Sequence, residues 1–505
     1  MTLLSRLRGA AIAGAGLHSK FGAVKAVSAQ LPVMASSLPR QVDVVIVGCG
    51  AAGLGACRRL LEAKKKVVIL EASHRMGGRV ENREVFGENE KPLEMGAQWM
   101  HGIEGHPLYD YAVEHGLMDA LEKDGDGNYV YPSLEMTALT ARREGGDEVQ
   151  HDLLSEVGRV FDDIEEECAL QGETATEETS LDFFERRFRQ HVESQTRYSP
   201  EDMWLVFSYF VNRQACIDGG ELIEQSPAQY FHYKELEGPL LVSVPGGYIR
   251  LLKHIADRLP EGCLRTSTPV EAVDWSGPAP SVTVKGGDMI EANHVIITAS
   301  LGVLKSGSIR FSPPLLSQKH ESICRLGFGK VEKVFFGFSD AAWLALGQLG
   351  ISNMNILISP PQASGWISRT TGFFRAAGTN YAYMWVAGAA ACAEVASASD
   401  EQLISDLQEW LIRFYPEGGA ALRASSVVRS TWSCNDLTLG SYSFLAKGST
   451  SRDIGTLADP LGASNQVLFA GEATHPNHFG TIHGAFQTGV REAERVLGTV
   501  VTSAK

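Results

Sequence analysis

Apolar residues follow two rhythms along this chain. Short β-branched runs occupy positions 42–47, 67–70, 282–284, 294–298 and 467–470. Such compact runs predict strands buried on both faces of a parallel sheet. Helical spacing takes over at 51–63. It returns at 152–170, where Leu153, Leu154, Val157, Val160, Phe161, Ile164 and Cys168 share one face. Further strands are expected at 333–338, 355–359 and 380–387, and helices at 400–414 and 485–497. The strand runs of the first set lie far apart, which implies one α/β body interrupted by insertions. The expected division assigns 41–101, 241–309 and 431–498 to that body. Residues 102–240 and 310–430 form a second body, 1–40 an extension and 499–505 a tail.

The turn after the first strand run reads Gly48-Cys49-Gly50-Ala51-Ala52-Gly53. Gly48 permits a tight turn, Gly50 lets backbone approach a diphosphate, and Gly53 lets the next helix pack close to the strand. Gly48, Gly50, Ala52 and Gly53 are thus candidate cofactor contacts at a helix N-terminus, which favours anions. Glu71 follows the second strand at the spacing of a ribose-binding acid, which suits FAD or NAD better than NADP. Gly77-Gly78-Arg79 adds a second backbone approach, at Gly78, and a cation at Arg79, which tips the choice to FAD. Far downstream, Gly471-Glu472 and Gly480-Thr481-Ile482 follow another buried run and can return the chain to the same cofactor. The chemistry expected is oxidation or reduction.

Composition narrows the partners. A net charge of −15 argues against nucleic acid and suits a cationic substrate. No stretch approaches the ~20 apolar residues of a membrane span. Eight cysteines are scattered without a C-x-x-C pair, so neither a zinc site nor a disulfide framework is expected, and no metal is assigned. Residues 1–40 lack acids and carry Arg6, Arg8, Lys20, Lys25 and Arg40, a composition like that of a mitochondrial transit peptide. A cytoplasmic location is expected, with mitochondrial or peroxisomal alternatives. The five acids Asp162, Asp163, Glu165, Glu166 and Glu167 read as a solvated helix face, or as part of an acidic funnel for cations.

These motifs resemble the flavin-containing amine oxidase family over roughly 41–498, and within it the animal polyamine oxidases. The resemblance implies a discontinuous Rossmann-like FAD-binding domain and an α+β substrate-binding domain. Segment 94–102 matches the stretch beside the flavin ring, which implies cofactor contacts from Gly96, Ala97, Gln98 and Trp99 and places His101 in the substrate tunnel. Segment 326–336 matches the motif of the flavin-facing lysine, which implies that Lys333 holds a water near flavin N5, with Lys330 solvated. Trp432 and the segment 440–443 resemble the part that closes a cage around the ring, with Tyr442 beside the amine. Glu472 takes the ribityl position, Thr481 and Ile482 the pyrimidine end, and Val270 the adenine.

Three departures stand out. Gln214 replaces a glutamate of the vertebrate polyamine oxidases, while Asp218 appears one helical turn later, so the anion that reads a distal ammonium has moved. Ser300 replaces a proline. Ser441 and Ser443 stand where the monoamine oxidases carry a flavin-linked cysteine, which implies non-covalent FAD. The implied reaction oxidises a carbon–nitrogen bond of spermine, spermidine or an N1-acetylated polyamine. It yields an imine, then an aldehyde and a shorter amine, and O2 becomes H2O2. The rival readings are an L-amino-acid oxidase, with Arg213 for the carboxylate, a lysine demethylase-like enzyme, and a flavin-binding protein without turnover. Neither an N-terminal helical domain nor a coiled-coil insertion supports the demethylase.

Overall fold

The structure, a computed structural model, describes residues 38–85, 91–130, 140–173, 178–351, 354–376 and 378–498. The expected extension at 1–40 lies almost wholly outside the described residues, and the tail at 499–505 wholly so.

The β-branched runs assemble into one eight-stranded sheet. Gln41–Val47 lies at its centre, between Met289–Ile297 and Val67–Leu70, and pairs in parallel with both. Leu264–Arg265 and Val467–Phe469 extend the parallel part on either side. Val44, Val45 and Ile46 are fully buried, which is why this strand has no polar face. The hairpin Val270–Asp274 and Ser281–Val284 continues the sheet antiparallel. Arg310–Ser312, which the division at 309 assigned to the second body, pairs with Val270–Asp274 and closes this edge. The helix Pro107–Glu114, inside the span 102–240, likewise buries Leu108, Tyr111 and Ala112 in the core beneath the helix Ala51–Glu62.

The second sheet has six strands, in the order Ser426–Arg429, Val331–Gly337, Tyr381–Ala387, Phe373–Arg375, Met354–Ile358 and Thr140–Arg143. Against it pack the helices His151–Leu170, Ser180–Ser194 and Pro200–Asp218 around Phe161, Phe184, Phe188, Phe207 and Phe210. Burying each such ring contributes about 2–3 kcal/mol, so the aromatic cluster fixes the triple packing. Thr179 and Asp182 form a capping box that starts the second helix, and Ser199 caps the third. The third helix ends at Gly219, left-handed at φ 93°, where a side chain would also strike the Tyr442 ring. Ser300 in place of proline has a local role: its hydroxyl caps Leu301–Ser306 and donates to the carbonyl of Thr438.

Candidate active site

Glu71 and Glu472 both follow parallel strands of the first sheet and so emerge at the same carboxyl edge. Between them lies the glycine turn. Gly48 has φ 105°, and a side chain there would meet Thr298 Oγ1 at 2.6 Å. A Cβ on Gly53 would sit 2.1 Å from the carbonyl oxygen of Gly48, so helix and strand touch through backbone. A Cβ on Gly50 would meet nothing within 4 Å. Gly50 is the N-cap of Ala51–Glu62, has no side-chain cap, and the first turn holds no acid. The helix therefore presents uncapped N–H groups beside open space, the requirement for an anion. Gly78 packs against this turn, its Cβ position 3.5 Å from Gly50 Cα. Glu71 accepts the N–H groups of Cys49 at 2.7 Å and Ser73 at 2.8 Å, and burial raises its pKa. The N–H of Thr268 bonds to the Glu71 carbonyl at 2.8 Å, which brings the strand that begins at Val270 beside the acid.

The two ends of the chain meet at Arg79. Its guanidinium donates to Glu472 Oε1 at 2.8 Å and to the carbonyl of Ser441 at 2.7 Å. The other oxygen of Glu472 accepts from Ser443 and from the N–H of Gly480. Arg79, expected near a diphosphate, thus ties three loops together, and Glu472 is the acid at the knot. Thr481 caps the last helix, which starts at Ile482 rather than the expected 485 because the threonine hydroxyl accepts the N–H of Gly484.

Lys333 lies in Val331–Gly337 and is 2% exposed. Its ammonium donates to the carbonyls of Glu94 at 2.9 Å and Gly96 at 2.8 Å, and to Gln98 Oε1 at 2.7 Å. It stands 4.4 Å above the Trp385 ring, its cross-strand partner. Burial lowers its pKa to about 7, and Glu94 opposes the fall. A Cβ on Gly96 would strike the Arg79 carbonyl at 1.9 Å, so this segment is pressed against the Gly-Gly-Arg loop, and Ala97 bonds to the same carbonyl. Trp99 stacks on Trp385 at 6.1 Å, its indole N–H buried and without a hydrogen-bond partner among the described residues. Trp432 donates from its indole to the Met95 carbonyl. Glu332, buried at 1%, accepts from Ser430 and from the N–H groups of Trp432 and Ser433, which fixes the tryptophan loop. Lys330, expected to be solvated, instead donates to the Leu439 carbonyl.

His101 belongs to a cluster rather than standing alone, within electrostatic reach of His106 and His483. His106 and His483 are 4.8 Å apart between ring centroids, His483 and His478 4.9 Å, and His478 and His475 4.6 Å. Burial lowers the pKa of His101 to about 4 and that of His106 to about 4. His101 is therefore a neutral imidazole at pH 7 and can accept a hydrogen bond there. Among the described residues, no three of His, Cys, Asp or Glu converge as a metal site.

Tyr442 donates to the carbonyl of Cys216, with its ring against Gly219 and Gly480. Asp218, at the end of the same helix, accepts from Gln214 at 3.0 Å and Tyr230 at 2.9 Å. Gln214, read from the resemblance as a departure from glutamate, thus supplies a donor that holds Asp218. Burial raises Asp218 to about 7, opposed by these donors. Glu165 reaches about 8 through burial and the neighbouring Asp218. The acidic helix is therefore divided. Asp163 is exposed and pairs with Arg159, while Asp162 is buried and Glu165 turns toward Asp218. Glu165, Glu332, His106 and Trp385 were not singled out from sequence. Glu165 left a signal only as one of the five acids read as a solvated face or an acidic funnel, and Trp385 only as an aromatic in the strand expected at 380–387.

Comparison with known proteins gives concordant results. Residues 51–497 match the family described as flavin containing amine oxidoreductase. The chain is 32% identical to the human peroxisomal N(1)-acetyl-spermine/spermidine oxidase, over 90% of this chain and 94% of that protein. It is 30% identical to polyamine oxidase 1 of Oryza sativa subsp. japonica, over 92% and 98%. A solved structure of putrescine oxidase bound to putrescine shares the fold, with a TM-score of 0.67 at 19% identity over 91% of this chain and 99% of that one.

Proposed function

Because the chain belongs to the family of flavin-containing amine oxidoreductases, we propose that its substrate is a polyamine, oxidised at a carbon–nitrogen bond with oxygen as acceptor. The residues fit FAD. Gly50 leaves room for a diphosphate at an uncapped helix N-terminus, Glu71 lies at the ribose distance along the chain, and the Trp99 indole N–H seeks a partner. FAD held by these residues would supply the two-electron oxidation of the amine to an imine, with O2 as the acceptor that becomes H2O2.

The protein orients and tunes. Lys333, with a pKa near neutrality, can hold or release a proton at Nζ beside the segment 94–99. The neutral His101 and the ring of Tyr442 border the route of the amine chain. The observation that carries the polyamine reading is the interior acid pair, Asp218 with Glu165. Arg213 offsets these acids only in part, since both stay raised, and an ammonium carried several bonds from the reacting nitrogen would ionise and satisfy them further, which a monoamine cannot do. A second reading has one observation in its favour. The Nε of Arg213 is buried and has no hydrogen-bond partner among the described residues; its guanidinium lies over Phe210 at 4.8 Å and faces the carboxyls of Glu165 and Asp218, which a substrate carboxylate would have to displace. Peroxide release with spermine, N1-acetylspermine and leucine separates the two. Turnover of leucine alone would overturn the polyamine reading.

A further inference from the structure

Two cysteines 206 residues apart meet inside the cofactor-binding core. Cys57 and Cys263 bring their sulfurs to 3.6 Å. Cys57 is on the inner face of Ala51–Glu62 and fully buried. Cys263 lies one residue inside the exposed turn 260–262, and its N–H closes that turn on the Pro260 carbonyl at 3.0 Å. Such a place is shielded from large reagents but within reach of a small oxidant. We propose that Cys57 and Cys263 form a peroxide-driven disulfide that fastens the dinucleotide-binding helix to the strand Leu264–Arg265.

The chemistry balances with hydrogen peroxide as the named oxidant. When Cys57 donates its S–H proton to the Cys263 sulfur, the Cys263 thiol becomes the more acidic of the two. The Cys263 thiolate attacks one peroxide oxygen. The O–O bond breaks, hydroxide leaves and takes a proton as water, and Cys263 becomes a sulfenic acid. The Cys57 sulfur then displaces that hydroxyl as a second water and the S–S bond forms. Two thiols lose two electrons, and one peroxide becomes two waters. The sulfurs must close from 3.6 Å to ~2.05 Å for the bond to form. Of the other buried thiols, Cys168 and Cys392 donate to the carbonyls of Pro227 and Val386, while Cys49 lies within electrostatic reach of both Cys57 and Cys263, so the peptide map must also distinguish a bond to Cys49.

The position gives the bond a consequence. Cys263 and Arg265 offer their carbonyls to the N–H groups of Ile69, at 2.7 Å, and Glu71, at 2.8 Å. The N–H of Cys49, inside the glycine turn, holds the Glu71 carboxylate. The disulfide would brace the helix that starts at Gly50 against the strand end that carries Glu71, so the product of turnover would stiffen the cofactor site. The turnover arm rests on the function proposed above; added peroxide does not.

The test uses the purified holoenzyme, exposed either to added H2O2 or to spermine in air. Free thiols are alkylated under denaturing conditions and peptides are mapped without reduction. The expected result is a Cys57–Cys263 cross-linked peptide in both arms, a mass loss of two hydrogens, and a melting temperature raised by about 5 °C. Reduction should reverse all three, and Cys57→Ala and Cys263→Ala should lack them. Cross-linking with added peroxide but not with spermine keeps the thiol site and counts against the amine reading. Both cysteines fully alkylated after peroxide, with only the exposed Cys324 and Cys434 oxidised, would overturn the proposal.

Discussion

Replacing Lys333 by methionine keeps an unbranched side chain, one atom shorter, and removes one charge and three donors. Burial brings the Lys333 pKa from 10.5 to about 7. At ~1.4 kcal/mol for each tenfold change, keeping this ammonium charged inside the fold costs about 5 kcal/mol at and below pH 7. Between pH 7 and 10.5 the folded protein binds fewer protons at this site than the unfolded chain, so stability rises with pH. The native protein should therefore gain roughly 2 kcal/mol over Lys333→Met between pH 7 and 9. Methionine in turn leaves the carbonyls of Glu94 and Gly96 and Gln98 Oε1 without this donor. Each loss costs roughly 1–3 kcal/mol. The two effects are of similar size near neutral pH, so the variant should fold and retain flavin. Its chemistry should suffer, with flavin reduction or reoxidation slowed by about 100-fold. Denaturant unfolding at pH 7 and 9, with anaerobic stopped-flow reduction and reoxidation, measures both effects. Native rates in both half-reactions with flavin bound, or a stability difference flat in pH, would refute the reasoning.

Asp218→Asn should raise KM for a tetraamine by about 10–100-fold, the worth of a charge-assisted hydrogen bond, with a smaller change in saturated rate. In the native protein, binding should tighten as pH rises through about 7, where Asp218 ionises, and steady-state assays at pH 6–8 should lose that dependence in the variant. Gly50→Val should fold normally, because Gly50 has φ −86° and ψ −169°, but its side chain would fill the diphosphate space; the expected product is colourless protein with a near-native apoprotein melting curve. Acid precipitation should release all flavin from the native protein, since Ser441 and Ser443 offer no thiol for attachment. Pigment left in the pellet would contradict this.

Much of the fold was legible because its central strands are buried on both faces, which leaves uninterrupted β-branched runs such as 42–47. The glycine turn was legible for a related reason: backbone contact at Gly53 and open space at Gly50 each exclude side chains. The sheet edge was not. Arg310–Ser312 is three residues long and half exposed, and only its pairing with Val270–Asp274 assigns it to the first sheet. The site roles that sequence does not resolve are tertiary. Glu165 sits among four other acids, and nothing local distinguishes it; only the approach of Asp218 from another helix does. Glu332 adjoins Lys333 in sequence, yet its task is to hold Trp432, 100 residues away. His106 reads as an ordinary helix cap until His483 is folded against it.

The central claim is that an amine with a second, distant ammonium delivers electrons to a flavin held between the two ends of this chain. Anaerobic titration of the purified protein with spermine, N1-acetylspermine, putrescine, leucine and a monoamine, followed in the visible spectrum, tests it directly. The account predicts stoichiometric bleaching of oxidised flavin by the longer polyamines at the lowest concentrations. A spectrum without a flavin band, or a flavin that no polyamine bleaches, would contradict it.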